Sequence, residues 1–310
     1  MENLRVNLAN IKLKNPIIPA SGTVAFGKEL SRKFNLNVLG SLVIKSTTEK
    51  PRKGNKPPVV TETSAGWLNA IGLKNPGIKN VFLEKLPWLA SHFPNLPIIG
   101  SVAGSKISEY INVAKQIIKA PNIALIEINV SCPNVKKGGA LFGNDPELVE
   151  KLTRKIVKIS NKPVFMKLTP NVTDIVSIAK AAEKGGADGL TMINTLTGMK
   201  INLKTKRPVL GNLSGGLSGR AIHPLAINMV YQVRQHTKLP IIACGGVNNS
   251  NDVLEFFMAG ANAIEIGSGN FSNPKICSNI INKLPLTMKK YRIKSLSQLS
   301  NNVLEQIYQK

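Results

Sequence analysis

The chain has 310 residues, of which 43% are hydrophobic, and carries 41 Lys and Arg against 17 Asp and Glu, a net charge of +24. That is enough apolar material for a sizeable core, and it excludes a disordered, collagen-like or coiled-coil protein. At this length two domains are the default, with single-domain α/β barrels as the known exception. The charge fits either a polyanionic partner or an excess of lysine spread over the surface. The densest basic run is only Lys50-Pro51-Arg52-Lys53 with Lys56 nearby, so the second reading is preferred, with an affinity for anions. Three cysteines, Cys132, Cys244 and Cys277, are too few and too scattered for a disulfide framework or a metal clip. An iron–sulfur cluster needs about four thiolates, so this chain alone cannot hold one. With no signal-peptide pattern at the N-terminus and no run approaching about 18 apolar residues, a cytoplasmic protein is expected.

In chain order, eight short apolar runs read as strands buried on both faces. They are Pro16–Gly22, Leu42–Lys45, Pro97–Ser101, Leu125–Asn129, Pro163–Lys167, Leu190–Asn194, Pro240–Gly246 and Ala263–Gly267. Helical patterns lie between several of them. Asp174 to Lys184 puts Ile175, Ile178, Ala179 and Ala182 on one face, and Asp252 to Met258 carries Val253, Leu254, Phe256 and Phe257. A weak repeat, Gly185-Gly186-Ala187-Asp188 against Ala259-Gly260-Ala261-Asn262, ends a helix and opens a strand in each case. Eight strand–helix units predict a (β/α)8 TIM barrel, residues 1–310 forming one domain. A doubly wound open sheet fits less well, because no GxGxxG follows the first strand. Residues 46–80 and 195–220, rich in Gly, Pro, Asn and Thr, break the alternation and read as loop insertions at the C-terminal face.

In a barrel the C-terminal strand ends converge on one mouth. Lys45 and Lys167 each close an apolar strand, so together they point to a site with an anion, a carbonyl or a ring nitrogen to meet. Gly245-Gly246 and Gly267-Ser268-Gly269 follow the last two strands and allow close backbone approach to a phosphate. Asn129-Val130-Ser131-Cys132-Pro133-Asn134 sets Cys132 on a loop over the mouth, where a thiolate acts as base or nucleophile, and Gly138, Gly139 and Gly143 make that loop a candidate lid. Cys244, inside a strand, and Cys277, on a helix, read as small buried residues. His92, His223 and His236 have no partner at a telling spacing and read as structural or surface residues. Trp67 either flanks a planar ligand or fills a loop.

The ordered blocks Asn15–Thr23, Lys45–Thr47, Gly54–Pro58, Leu68–Gly77, Asn129–Asn134 with Gly138-Gly139 and Phe142-Gly143, Lys167–Asn171, Asn194-Thr195 and Gly215–Gly219 run nearly the length of the chain. With the two glycine sites they make it resemble class 1 dihydroorotate dehydrogenases, most closely the class 1B catalytic subunit. The resemblance implies an FMN-containing barrel that oxidises dihydroorotate to orotate in pyrimidine biosynthesis. By position it makes Cys132 the base that removes the C5 proton. It assigns orotate contacts to Lys45, Asn69, Ala70, Ile71, Gly72, Leu73, Asn129, Asn194 and Thr195. It assigns FMN contacts to Ser21, Lys45, Ser46, Ser101, Asn129, Lys167, Ile193, Gly219, Gly245, Gly246, Gly267 and Ser268. No metal is implied. Ser101 stands where relatives commonly have Asn, Trp67 where they have Met, and Val59 where they have Arg. The wording Asn69-Ala70-Ile71-Gly72-Leu73 favours class 1B, which implies a homodimeric core, a partner subunit carrying FAD and an iron–sulfur cluster, a heterotetramer, and NAD as final acceptor. The alternatives are a fumarate-linked class 1A homodimer and a dihydrouridine synthase-like, tRNA-modifying flavoenzyme. Against the last, only about 40 residues follow Gly269, too few for an added RNA-binding domain of about 50 or more.

Overall fold

The computed structural model describes residues 4–130 and 142–308. Eight parallel strands, numbered β1–β8, form its centre. They are β1 Ile17–Pro19, β2 Leu42–Val43, β3 Ile98–Val102, β4 Ile123–Asn129, β5 Val164–Lys167, β6 Gly189–Met192, β7 Ile241–Cys244 and β8 Ala263–Ile266. Each pairs with its sequence neighbour from β2 through β8, and β8 returns to β1. Gly40 N–H donates to Ile17 O at 3.1 Å, drawing the entry to β2 against β1 and all but closing the ring. This is a (β/α)8 barrel, and each of the eight apolar runs contributes one strand.

The units between strands follow from local chemistry. Helix Ile175–Lys184 starts where the Asp174 carboxylate accepts the Val176 and Ser177 N–H groups, and it buries Ile175, Ile178, Ala179, Ala181 and Ala182. Helix Ser250–Met258 opens with a capping box between Asn249 and Asp252 and buries Phe256 and Phe257 completely. Each such ring stabilises the fold by roughly 1.5–3 kcal/mol relative to exposure. The helix stops at Gly260, whose φ of +100° suits a residue without Cβ. The internal repeat has a structural meaning. Asp188 Oδ2 accepts the Val164 N–H at 2.8 Å, and Asn262 Oδ1 accepts the Ile241 N–H at 2.9 Å. Each side chain therefore ties the residue before one strand to the start of its neighbour.

The two insertions are not loops. Val60–Thr63 pairs with Gly66–Asn69, which pairs with Gly215–Ser218, which in turn pairs with Leu196–Gly198, giving a four-stranded antiparallel sheet. It joins segments about 150 residues apart, a pairing that no local pattern encodes. Buried Asn75 fixes the rest of the first insertion. Its Oδ1 accepts from Thr48 N and Gly77 N, and its Nδ2 donates to Thr48 Oγ1 and Leu73 O. Among the described residues no helix is long and apolar enough to cross a membrane.

Candidate active site

The strand ends and the inserted sheet enclose one pocket at the C-terminal mouth. Ser21 follows β1, Lys45 and Ser46 follow β2, Asn129 ends β4, and Lys167 ends β5. Ile193, Asn194 and Thr195 follow β6, Gly245 and Gly246 follow β7, and Gly267 and Ser268 follow β8. The inserted sheet adds Asn69 and Gly219, and the segment after it adds Ile71, Gly72 and Leu73. Two expected residues do not line this pocket. Ala70 is fully buried and packs with Leu68 and Leu210 in a small core under the sheet. Ser101 is fully buried beneath the pocket, where its hydroxyl bonds Ser46 and Glu127. Cys132, with the rest of its loop up to Leu141, lies outside the described residues.

Beyond the assigned contacts, the pocket is also lined by Gly22, which ends the first strand run, and by Ala20, Thr23, Ser218, Ile222, Cys244 and Phe271, which the sequence reading did not assign. Cys244, read as a small buried residue, is only partly buried and sits at the end of β7 on the pocket wall. Cys277 is fully buried, as read. Trp67 packs edge-on against Phe271, with ring centroids 5.9 Å apart, so it supports a wall residue. His223 donates from Nδ1 to Gly245 O at 2.9 Å, and its Nε2 bonds Glu255 at 2.8 Å. It thus holds the glycine turn after β7.

A directed chain of hydroxyls runs under the mouth. The Glu127 carboxylate only accepts, so Ser101 donates to it at 3.1 Å, Ser46 donates to Ser101 at 2.9 Å, and Ser21 donates to Ser46 at 3.0 Å. Asn129 Nδ2 also donates to Ser46 Oγ at 3.1 Å, and Asn194 Nδ2 donates to Asn129 Oδ1 at 3.3 Å. Below them Lys167 Nζ meets Glu265 Oε2 at 2.7 Å and Glu127 Oε2 at 3.3 Å. Burial alone would lower the lysine's proton affinity. Glu127 and Glu265 outweigh it and hold the ammonium charged. A glutamate in the middle of each of two apolar strands, Leu125–Asn129 and Ala263–Gly267, is the signal that finds this pair.

The backbone side of the pocket suits a phosphate-bearing ligand. Gly246 has φ +70°, and a Cβ there would come within 2.7 Å of His223 Cβ and 2.8 Å of Gly219 O. Gly267 is different. A Cβ on it would meet only Cys244 Sγ, at 4.0 Å, so the protein's own packing does not demand a glycine. The space it leaves belongs to the pocket. Small residues after β7 and β8, hydroxyls from Ser21, Ser46 and Ser268, and the Lys167 ammonium form a donor set fitted to a phosphorylated, ring-bearing cofactor.

Fold and site together define a (β/α)8 barrel protein with a cation- and amide-lined pocket at the catalytic face. Comparison with known proteins makes the class specific. The chain matches the dihydroorotate dehydrogenase family over residues 3–288 and belongs to that family, whose members are FMN-binding flavoenzymes. It is 59% identical over 303 residues to dihydroorotate dehydrogenase A (fumarate) of Lactiplantibacillus plantarum, covering 98% of this chain and 99% of the relative. It is 52% identical over 309 residues to the catalytic subunit of dihydroorotate dehydrogenase B (NAD(+)) of Bacillus cytotoxicus, covering 100% and 99%. The corresponding catalytic subunit of Anoxybacillus flavithermus is 53% identical over 298 residues, covering 96% and 95%.

Proposed function

We propose that this protein oxidises dihydroorotate to orotate within the barrel mouth, as one FMN-binding domain. The observation that carries the reading is that one pocket takes in every expected contact residue among those described, except Ala70 and the buried Ser101. The cofactor would be held by Ser21, Ser46, Lys167, Ile193, Gly219, Gly245, Gly246, Gly267 and Ser268, with Lys45 and Asn129 shared with the substrate. FMN, when bound, supplies the acceptor for the hydride from C6. Lys45 binds the substrate carboxylate. Asn69, Asn129 and Asn194 meet the amide-like edges of its ring, and Ile71, Gly72, Leu73 and Thr195 complete the wall. Cys132, assigned from resemblance, takes the C5 proton on Sγ, a role within reach of a thiol near neutral pH. A hollow opening beside the pocket is lined by Arg52, Lys74 and Lys45 and gives an anionic substrate a positive approach.

The electron acceptor has two readings. Identity favours direct reoxidation by fumarate, at 59% against 52% and 53% for the NAD-linked subunits. The Asn69–Leu73 block favours NAD through an FAD and iron–sulfur partner in a heterotetramer. Anaerobic titration with dihydroorotate tests the reaction. Bleaching of the flavin band with orotate appearing in proportion is expected, and a flavin that dihydroorotate never reduces refutes it. Reoxidation of the reduced chain alone by fumarate, and not by NAD, decides for the first acceptor. Cys132→Ser is expected to keep FMN and slow its reduction, and Lys45→Ala to weaken orotate binding.

A further inference from the structure

Three ionisable side chains fill the barrel axis under the pocket, and the reaction as proposed uses only Lys167. Glu127 lies two residues before Asn129 on β4, and Glu265 two residues before Gly267 on β8. The alternation of a strand therefore sets both glutamates one layer below the mouth. Both are 0% exposed, and the Lys167 side chain is 6% exposed. One ammonium and two carboxylates, all ionised, would leave a net negative charge in the barrel, which a buried site strongly disfavours.

The hydrogen bonds locate the proton that removes this cost. Glu127 Oε1 accepts from Ser101, and Glu127 Oε2 accepts from Lys167. Glu265 Oε2 accepts from Lys167, Glu265 Oε1 has no donor aimed at it, and the Glu127 carboxyl lies within hydrogen-bond reach. An ionised Glu265 would set two charged carboxylates side by side; a protonated one has the Glu127 carboxyl as its acceptor. Burial and the neighbouring Glu127 raise the proton affinity of Glu265, and Lys167 only partly opposes them. From the adjacent strands the pair is faced by Ser101 on β3, Lys167 on β5 and Cys244 on β7. The last is a thiol kept neutral by burial.

We propose that Glu265 carries a proton at neutral pH beside Glu127, and that this pair sets the charge Lys167 presents to the pocket and so the reduction potential of bound FMN. The two glutamates are positioning residues, since neither lines the pocket. The inference rests on the reading that FMN binds here. It has a distinctive consequence. Removing either carboxyl removes the extra proton as well, and the remaining glutamate stays ionised against Lys167, so the cluster stays neutral. Removing both leaves an uncompensated ammonium, which favours the reduced, more negative cofactor.

The test uses the holoenzyme and its Glu127→Gln, Glu265→Gln and doubly substituted forms, with the flavin midpoint potential read by dye equilibration at pH 7. Each single variant is expected to shift the oxidised-to-reduced ratio less than about twofold. The double variant is expected to shift it about tenfold or more toward reduced, which is about 30 mV for a two-electron couple. An unmoved potential in the double variant, or two equal additive steps, overturns the proposal. Infrared spectra of the same proteins, which need no flavin, should show a protonated carboxyl band at pH 7 in the wild type and in Glu265→Asp. The band should be lost in each single Gln variant. Its absence from the wild type, or its survival in Glu265→Gln, overturns the protonation state. A chain that shows this band and keeps FMN but is not reduced by dihydroorotate refutes the proposed substrate and leaves the charge argument standing.

Discussion

Asn75→Ala removes one side chain from the base of the first insertion and should be felt in both stability and binding. Asn75 is 6% exposed and makes four hydrogen bonds, of 2.7, 2.8, 2.9 and 3.2 Å. Alanine leaves the buried Thr48 and Gly77 N–H groups without their acceptor and the Leu73 carbonyl without this donor. At about 1 kcal/mol net for each bond, the loss is about 4 kcal/mol, a large part of the roughly 5–15 kcal/mol that holds a domain folded. Urea unfolding followed by circular dichroism measures it, as a lower midpoint at unchanged slope. Leu73 lines the pocket, so orotate affinity should weaken in parallel. A loss under about 1 kcal/mol, with orotate affinity unaltered, would refute the claim that this amide holds the insertion in place.

Lys167→Met strands an ionised glutamate in the barrel and should cost about 3–5 kcal/mol in chemical denaturation; an unmoved midpoint would count against the buried ion pair. Gly246→Ala forces a side chain into a φ of +70° and against His223, so a cost of roughly 1–3 kcal/mol is expected. FMN should be lost from it on gel filtration, and full retention would remove this turn from the cofactor site. Burial pushes the Cys244 thiol up to about 12, with Lys167 opposing it only in part. The thiolate is the reactive form, so reactivity rises with pH and stays low well past pH 8. Near pH 8 alkylation of the Cys244 peptide, followed by mass spectrometry, should run about a thousandfold slower than in unfolded chain. Equal rates would mean that the pocket wall is open to water at that point.

What the sequence determined by itself is the set of residues and the frame that carries them. Runs such as Pro163–Lys167 and Ala263–Gly267 are strands because they are short, apolar and bounded by breakers. Eight of them alternating with amphipathic helices leave a parallel barrel as the economical way to bury both faces. Strand ends then converge by topology, and this is why Lys45, Asn129, Lys167, Asn194 and the glycine pairs could be assigned to one mouth before any distance was known. Tertiary structure decided what depends on partners far apart in the chain. The pairing of Gly66–Asn69 with Gly215–Ser218 made a sheet of two stretches that read locally as loops. The same holds for Ser101 and Cys244, whose local patterns do not say which side of a strand end faces the pocket. The charge state of Lys167 is the clearest case. A lysine at the end of an apolar strand shows only that a partner must exist. Its partners are glutamates 40 residues before and 98 residues after it. Their effect depends on sharing a dry space of a few ångströms, where each charge alters the others' affinity for a proton.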